Sequence, residues 1–141
     1  MTPRQQNLIK ESFAMVAPIA DQAAIIFYDR LFELDPSLRR LFAHTDMAGQ
    51  RKNLMQTLTV VVKSIDRLDT IVPAVQALGA RHAGYGVTPE MFGTVGQALL
   101  DTLATGLGDA FTTECRNAWI DAFQILSGVM IGAMEQESVA A

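Results

Sequence analysis

Apolar residues recur along this chain at the spacing of α-helices. The clearest stripe is Leu54, Leu58, Val61 and Ile65, at i, i+4, i+7 and i+11, which predicts a helix from about Gln50 to Asp66. No segment alternates apolar and polar residues with period two over the length of a strand, and no hairpin turn signal stands between alternating runs. The pattern therefore predicts an all-α protein.

Capping residues, prolines and glycines divide the rest of the chain into further helices. Thr2-Pro3 and Asp35-Pro36 each combine a helix cap with a proline in the first turn, and Gly106 and Gly108 end a helix. The predicted helices cover about 3–16, 21–34, 36–42, 50–66, 70–82, 89–105 and 113–133, with an irregular loop over 43–49. We expect a single domain over 1–141, with seven or eight helices and no linker.

Composition and charge narrow the class of protein. Half of the residues are hydrophobic and only 18% are charged, which is typical either of tight packing or of an apolar cavity lined on all sides. The net charge of −4 argues against nucleic acid and anionic membranes as partners, because phosphate groups attract basic surfaces. The only cysteine is Cys115, the N-terminus is polar, and the apolar stretch 119–134 is interrupted by Asp121 and Gln124. We therefore expect a soluble cytoplasmic protein.

The segment Leu78–Val87 (LGARHAGYGV) contains the most informative residue. His82 stands at the end of a predicted helix, on the same face as Leu78, and two glycines follow it within four residues. A histidine held there can point across a gap, and neutral imidazole is the commonest metal ligand in proteins. The simpler alternative is a histidine that caps its own helix and binds nothing.

The other reactive residues exclude most kinds of site. Two histidines and one cysteine are too few for a structural zinc site, no serine lies in a nucleophile elbow, and no glycine-rich phosphate loop follows a strand. A single histidine is sufficient for haem, whose iron receives four nitrogens from the porphyrin. The candidate slot lies between the helices 50–66 and 70–82, and five residues are candidates for its walls: Tyr28, Phe42, Leu54, Phe92 and Val95.

Seven segments, taken in order, resemble one family. The chain resembles bacterial single-domain haemoglobins, close to the globin half of flavohaemoglobins, and more distantly neuroglobin. The matching segments are Leu8–Ser12 (LIKES), Phe27–Phe32 (FYDRLF), Leu41–Phe42, Gln50 with Leu54–Gln56 (LMQ), Leu78–Val87, Thr94–Gln97 (TVGQ), and Leu107–Thr112 (LGDAFT) with Ala118–Trp119. They span nearly the whole chain, and their joint order and spacing are far more specific than any one of them.

The resemblance implies a globin fold of helices packed around haem b. It implies His82 as the proximal iron ligand, Tyr28 and Gln50 as distal groups that stabilise the ligand, Leu54 as a distal apolar gate, and no catalytic residue. Phe42 would stack on the haem, and Arg81 would reach a propionate, with Arg51 or Lys52 as further candidates. The remaining implied contacts are on the proximal side or at the helix end: Leu78, Tyr85, Val87, Phe92 and Val95.

One departure from the family pattern affects the function. Flavohaemoglobins carry a tyrosine and a glutamate that polarise the proximal histidine, and Phe92 and Met134 stand at the matching positions here. Neither side chain can form that hydrogen bond. Glu135 is one residue away from the second position, but we expect strong polarisation of His82 to be absent. We also expect no flavin or nicotinamide domain, so that nitric oxide dioxygenation would need a separate reductant.

Four functions remain open at this point. We expect a protein that binds the diatomic gases oxygen, carbon monoxide and nitric oxide, and that serves in oxygen storage, transport or scavenging as a monomer or weak homodimer. The alternative is a nitric oxide dioxygenase that works with a separate reductase. A gas sensor would require a partner for its output, and a helical interaction module would contain no haem at all.

Overall fold

The computed structural model describes the backbone of residues 1–140 and the side chains of residues 1–136. Within this range the chain forms six α-helices and four short 3-10 segments. The α-helices are α1 (Pro3–Val16), α2 (Ala20–Leu34), α3 (Met47–Lys63), α4 (Val72–Gly84), α5 (Met91–Leu107) and α6 (Thr113–Ala140). The 3-10 segments are Ala17–Ile19, Pro36–Phe42, Leu68–Ile71 and Gly108–Ala110.

The all-α prediction is confirmed, although the number of α-helices is lower than expected. The segment Pro36–Phe42 is a 3-10 helix instead of a seventh α-helix. It is only seven residues long, and its cap is Asp35, whose carboxylate accepts a hydrogen bond from the Ser37 backbone N–H. So short a helix gains few i to i+4 hydrogen bonds, so the tighter i to i+3 form is competitive.

Local signals explain most of the helix ends. Thr2 and Gln5 form a reciprocal capping box at the start of α1, and the Asp46 carboxylate accepts from the Ala48 backbone N–H at the start of α3. This cap places the start of α3 at Met47, three residues before the predicted start at Gln50. At the end of α5, Gly108 has a φ of 55°, a conformation that favours glycine.

The main core lies where α1, α3, α5 and α6 meet. It contains Ile9, Phe13, Leu103 and Trp119, and the indole Nε1–H of Trp119 donates to the buried Ser12 hydroxyl over 2.9 Å. This bond satisfies the one polar atom of a side chain that is otherwise surrounded by apolar atoms. No helix in the described part of the chain is long and apolar enough to cross a membrane.

Helix α4 is supported from one side. It packs along α6 and against the 3-10 segment that precedes it, whereas α3 packs against α1 and α2. Among the helices of residues 1–140, α3 and α4 are not an extensively packed pair. The two helices predicted to border a slot, α3 and α4, therefore pack against different neighbours.

Candidate haem site

His82 lies in the last turn of α4, with one ring nitrogen engaged and the other available. Its Nδ1 is 2.7 Å from the Leu78 carbonyl oxygen, one turn earlier in the same helix. A carbonyl can only accept, so Nδ1 must carry the proton and donate it. No described group forms a hydrogen bond with Nε2. A neutral imidazole fixed in this tautomer presents the Nε2 lone pair, which is the donor that a metal requires.

Two aromatic rings contact the His82 ring from different sides. The Phe92 ring centroid is 6.4 Å away, and the Tyr85 centroid is 6.1 Å away in an edge-on arrangement. Phe92 is buried, whereas Tyr85 is 65% exposed. Phe92 therefore supports the imidazole from the protein interior, and Tyr85 covers it at the surface.

An apolar cluster lies behind His82, and we call it the histidine-side cluster. Its buried members are Val75, Phe92, Met130 and Met134, and partly buried residues around them include Leu78, Ala83, Val87 and Phe123. None of these side chains has a nitrogen or oxygen atom that could form a hydrogen bond with the imidazole. The carbonyl of Leu78 is thus the described hydrogen-bond partner that orients His82.

A second cluster contains Tyr28, and we call it the tyrosine-side cluster. Its buried members are Phe27, Tyr28, Leu31, Phe32, Leu38 and Ala98, with Leu41, Phe42, Met47, Leu54, Met91 and Val95 packed around them. The Phe42 ring stands edge-on to both Tyr28 and Phe32, with ring centroids 5.6 Å apart in each pair. These contacts join the 3-10 segment to α2 and fix the orientation of Tyr28.

Tyr28 and Gln50 form the polar pair within this apolar cluster. The Gln50 Nε2–H donates to the Tyr28 hydroxyl oxygen over 3.1 Å, and Tyr28 is only 6% exposed. Because the amide occupies an acceptor position of that oxygen, the hydroxyl proton is left to donate elsewhere. Burial raises the pKa of Tyr28 from its ordinary value of 10.0, while the hydrogen bond from Gln50 acts in the opposite direction. Tyr28 is thus a protonated donor at neutral pH.

Four apolar residues at the edges of the two clusters are incompletely buried. Phe42, Leu54, Leu78 and Val87 are all half-buried although none of them is polar. Their arrangement fits a flat apolar group inserted between the two clusters, with the free Nε2 of His82 available to ligate its metal. The residues present therefore fit haem, both in the chemistry of the donor and in the apolar borders.

Other predicted contacts have different surroundings from those expected. We expected Val95 on the same side as Phe92, but it packs with the tyrosine-side cluster because it lies nearly one turn further along α5. Arg81 and Lys52 are exposed and Arg51 is half-buried, and none of the three forms an ion pair with a described side chain.

Several residues of both clusters were missed by sequence reasoning. Met91 and Met47 border the tyrosine-side cluster, and Val75 is buried behind His82. By contrast, the sequence pattern had already indicated Met130 on the buried side of the last helix, and Met134 follows it at i+4 on the same face. Methionine adapts to many environments, so its presence alone gave no indication of a pocket.

A separate groove of about 530 Å³ runs along the surface between α2 and α5. It contains no residue of α4, and its polar side chains already pair with one another. Arg30 Nε donates to Asp101 over 2.7 Å, and Gln97 donates to the same carboxylate over 2.8 Å. This groove is therefore not the candidate site.

A helical fold with one free imidazole nitrogen and a buried tyrosine and glutamine pair is typical of a helical haem protein. The globin family profile matches residues 25–130, and the chain belongs to the globin family. Membership of this family implies haem as the cofactor and diatomic gases as ligands.

Individual relatives fall into two groups. The chain is 32% identical over 128 residues to a flavohemoprotein of Rhodopirellula baltica and 34% identical over 128 residues to one of Bacillus subtilis. These alignments cover 89% of this chain in both cases, but only 31% and 32% of those proteins, so the chain spans about a third of their length. It is also 29% identical to neuroglobin of Danio rerio, over 92% of this chain and 90% of that protein.

A solved structure supports the fold. This structure is an engineered carbene transferase, described as a candidate nitric oxide dioxygenase from Rhodothermus marinus. It superposes on this chain with a TM-score of 0.89. The match covers 99% of this chain and 97% of that one, at 22% sequence identity. The predicted globin fold is thereby confirmed.

Proposed function

We propose that this protein binds haem b through His82 and binds oxygen reversibly on the opposite side, for oxygen storage, transport or scavenging. The observation that carries the proposal is the hydrogen-bonded Tyr28–Gln50 pair, enclosed in an apolar cluster, in a chain that also holds His82 with its Nε2 free. Haem, if bound, would supply an iron atom that His82 would hold and that could bind a gas. The residues of this chain determine which ligands are held there.

His82 is the proposed iron ligand. Its Nδ1–H bond to the Leu78 carbonyl holds the ring in the tautomer that exposes Nε2. Phe92 limits rotation of the ring on the interior side. His44, the other histidine, is exposed in the turn before α3 and is not placed to replace it.

Tyr28 is the proposed donor to the gas ligand. Its hydroxyl is buried, protonated and already accepts from Gln50, so its own proton is free to stabilise an electronegative ligand. A hydrogen bond to a ligand that carries partial negative charge contributes about 1.5–3 kcal/mol in a site that excludes water. Such a donor slows oxygen release more than the release of carbon monoxide, which is the less polar ligand.

The apolar surroundings of His82 favour holding oxygen over activating it. Phe92 and Met134 are buried in the cluster behind the imidazole, and neither can polarise it as a carboxylate would. With a backbone carbonyl as its described partner, His82 is a moderate electron donor to iron. We propose that Leu54 and Phe42 border the haem on the tyrosine side, and Leu78, Val87 and Phe92 border it on the histidine side.

Nitric oxide dioxygenation with a separate reductase is the second candidate. Its support comes from the names of relatives: two flavohemoproteins, and a structural neighbour named as a candidate nitric oxide dioxygenase. A single reaction of the oxygenated protein with nitric oxide does not distinguish the two functions. Sustained nitrate production with a flavin reductase and a nicotinamide cofactor would favour the enzyme.

Oxygen titration of the reduced, haem-loaded protein tests the first candidate. We expect the visible spectrum to convert on addition of oxygen and to return when oxygen is removed under argon, over repeated cycles. The carbon monoxide complex of the same sample serves as the control for haem loading. Irreversible conversion to the ferric form in the first cycle would contradict reversible oxygen binding.

A further inference from the structure

Helices α4 and α6 approach each other closely at Gly79. This glycine is buried, and it lies three residues before His82 on α4. A Cβ atom at this position would be 2.5 Å from the Met130 carbonyl oxygen and 2.7 Å from the Met130 Cα. Both neighbours are backbone atoms, so no side-chain rotation could make room for it. The two helices can pack at this distance only because position 79 has no side chain.

The consequence of this contact depends on how α4 is held. Apart from the 3-10 segment before it, α6 is the element that α4 packs against extensively within residues 1–140. His82 follows Gly79 by three residues, which is about 60° around the helix axis, so the face that carries His82 is next to the face that meets α6. The depth to which α4 settles onto α6 therefore determines the position of the His82 ring. A helix is stiff over a single turn, so a displacement at Gly79 is transmitted to His82.

We propose that Gly79 is a positioning residue for His82, which sets the approach of its Nε2 to the haem iron through the α4–α6 distance. The proposal rests on the proposed role of His82 as iron ligand. An added methyl group at position 79 must move outward by about 1 Å to reach an ordinary contact distance of about 3.5 Å. That movement would displace α4 from α6 and carry the His82 ring sideways, which would tilt and weaken the bond from Nε2 to a haem iron.

The test is the iron–histidine stretching band in the resonance Raman spectrum of the ferrous, ligand-free, haem-loaded protein. We expect Gly79→Ala to shift this band to lower frequency. Gly84→Ala on α4 and Gly128→Ala on α6 are matched controls, because a Cβ at either position meets no atom within 4 Å. Both controls should leave the band at its wild-type position.

A second pair of variants separates positioning from general damage. In His82→Gly supplied with free imidazole, the ligand is no longer attached to α4, so adding Gly79→Ala should leave the band of the bound imidazole unchanged. Val75 is buried one turn before Gly79 and belongs to the same cluster as Met130. We expect Val75→Ile, a milder enlargement on this face, to shift the band in the same direction by a smaller amount.

The outcomes distinguish this inference from the proposed function. If the wild-type protein has no iron–histidine band, His82 is not the ligand and the proposed function fails. If the band is present but Gly79→Ala and Val75→Ile leave it within the spread of the glycine controls, the positioning role is wrong. Should Gly79→Ala not fold, Val75→Ile alone decides: a shifted band supports the role and an unshifted band overturns it.

Discussion

The tyrosine-side and histidine-side clusters hold their polar residues by different physical means. Tyr28 is fixed by aromatic rings from two segments and by the amide of Gln50, so hydrogen bonding dominates on its side. His82 is oriented by one backbone carbonyl and surrounded by apolar side chains, on a helix supported mainly by α6. We therefore propose that donors on one side would control ligand release and that packing on the other would control the position of the iron.

Removal of His82 should have the largest effect. We expect His82→Gly to weaken haem binding by at least about tenfold, equivalent to about 1.4 kcal/mol, because no other described nitrogen can replace Nε2. Haemin titration followed by the intense visible band measures this loss, and free imidazole should restore the spectrum. His44→Gly, which removes the exposed histidine, is the control. Equal haem affinity in both variants would show that His82 is not the ligand.

Loss of the Tyr28 hydroxyl should have the next largest effect. We expect Tyr28→Phe to speed oxygen dissociation by about tenfold or more, at about 1.4 kcal/mol for each decade, because the ligand loses its donor. Stopped-flow displacement of oxygen by carbon monoxide measures the rate. Tyr85→Phe removes the hydroxyl of the exposed tyrosine and should leave the rate unchanged. An unaltered rate in Tyr28→Phe would exclude Tyr28 as the donor.

Gln50 should contribute less than Tyr28. Its amide donates to the Tyr28 oxygen, so its removal loosens the tyrosine without removing the donor. We expect Gln50→Leu to speed oxygen dissociation by about twofold to fivefold, or about 0.5–1 kcal/mol. In the double variant with Tyr28→Phe, the effects should not add, because both act through one hydroxyl. A larger effect for Gln50→Leu than for Tyr28→Phe would make the amide the principal donor.

A change of pH near neutrality should have the smallest effect on the rate of oxygen dissociation. Because burial raises the pKa of Tyr28 above 10.0, the hydroxyl keeps its proton, and oxygen dissociation should be constant between about pH 6 and 9. Above about pH 10 an unfolded chain releases this proton before the folded one does, so Tyr28 lowers the stability of the native state as pH rises. Alkaline unfolding monitored by circular dichroism should therefore begin at higher pH in Tyr28→Phe. An earlier onset would contradict the direction of the shift.

The fold could be predicted from the sequence because its signals are local. The stripe from Leu54 to Ile65 and the cap at Thr2-Pro3 identify helices without knowledge of their neighbours. Competition between short-range hydrogen bonds decides two other features, the 3-10 form of Pro36–Phe42 and the start of α3 at Met47. The periodicity of apolar residues does not show the outcome of that competition.

The site was only partly predictable, because its geometry depends on contacts between distant segments. The resemblance proposed Tyr28, Gln50 and His82, but the bond between Tyr28 and Gln50 spans 22 residues and emerges only from packing. The approach of Gly79 to Met130 has no signal in the sequence at all, since a helical glycine normally indicates only weak helix propensity. The position of Val95 in the tyrosine-side cluster likewise depends on how α5 packs against both clusters.

The visible spectrum of the purified protein, reduced and exposed to carbon monoxide after addition of one equivalent of haemin, tests the central claim most directly. We predict the intense band of a ferrous haem–carbon monoxide complex with one histidine ligand, at one haem for each chain. A spectrum indistinguishable from that of free haem in the same buffer would contradict haem ligation by His82.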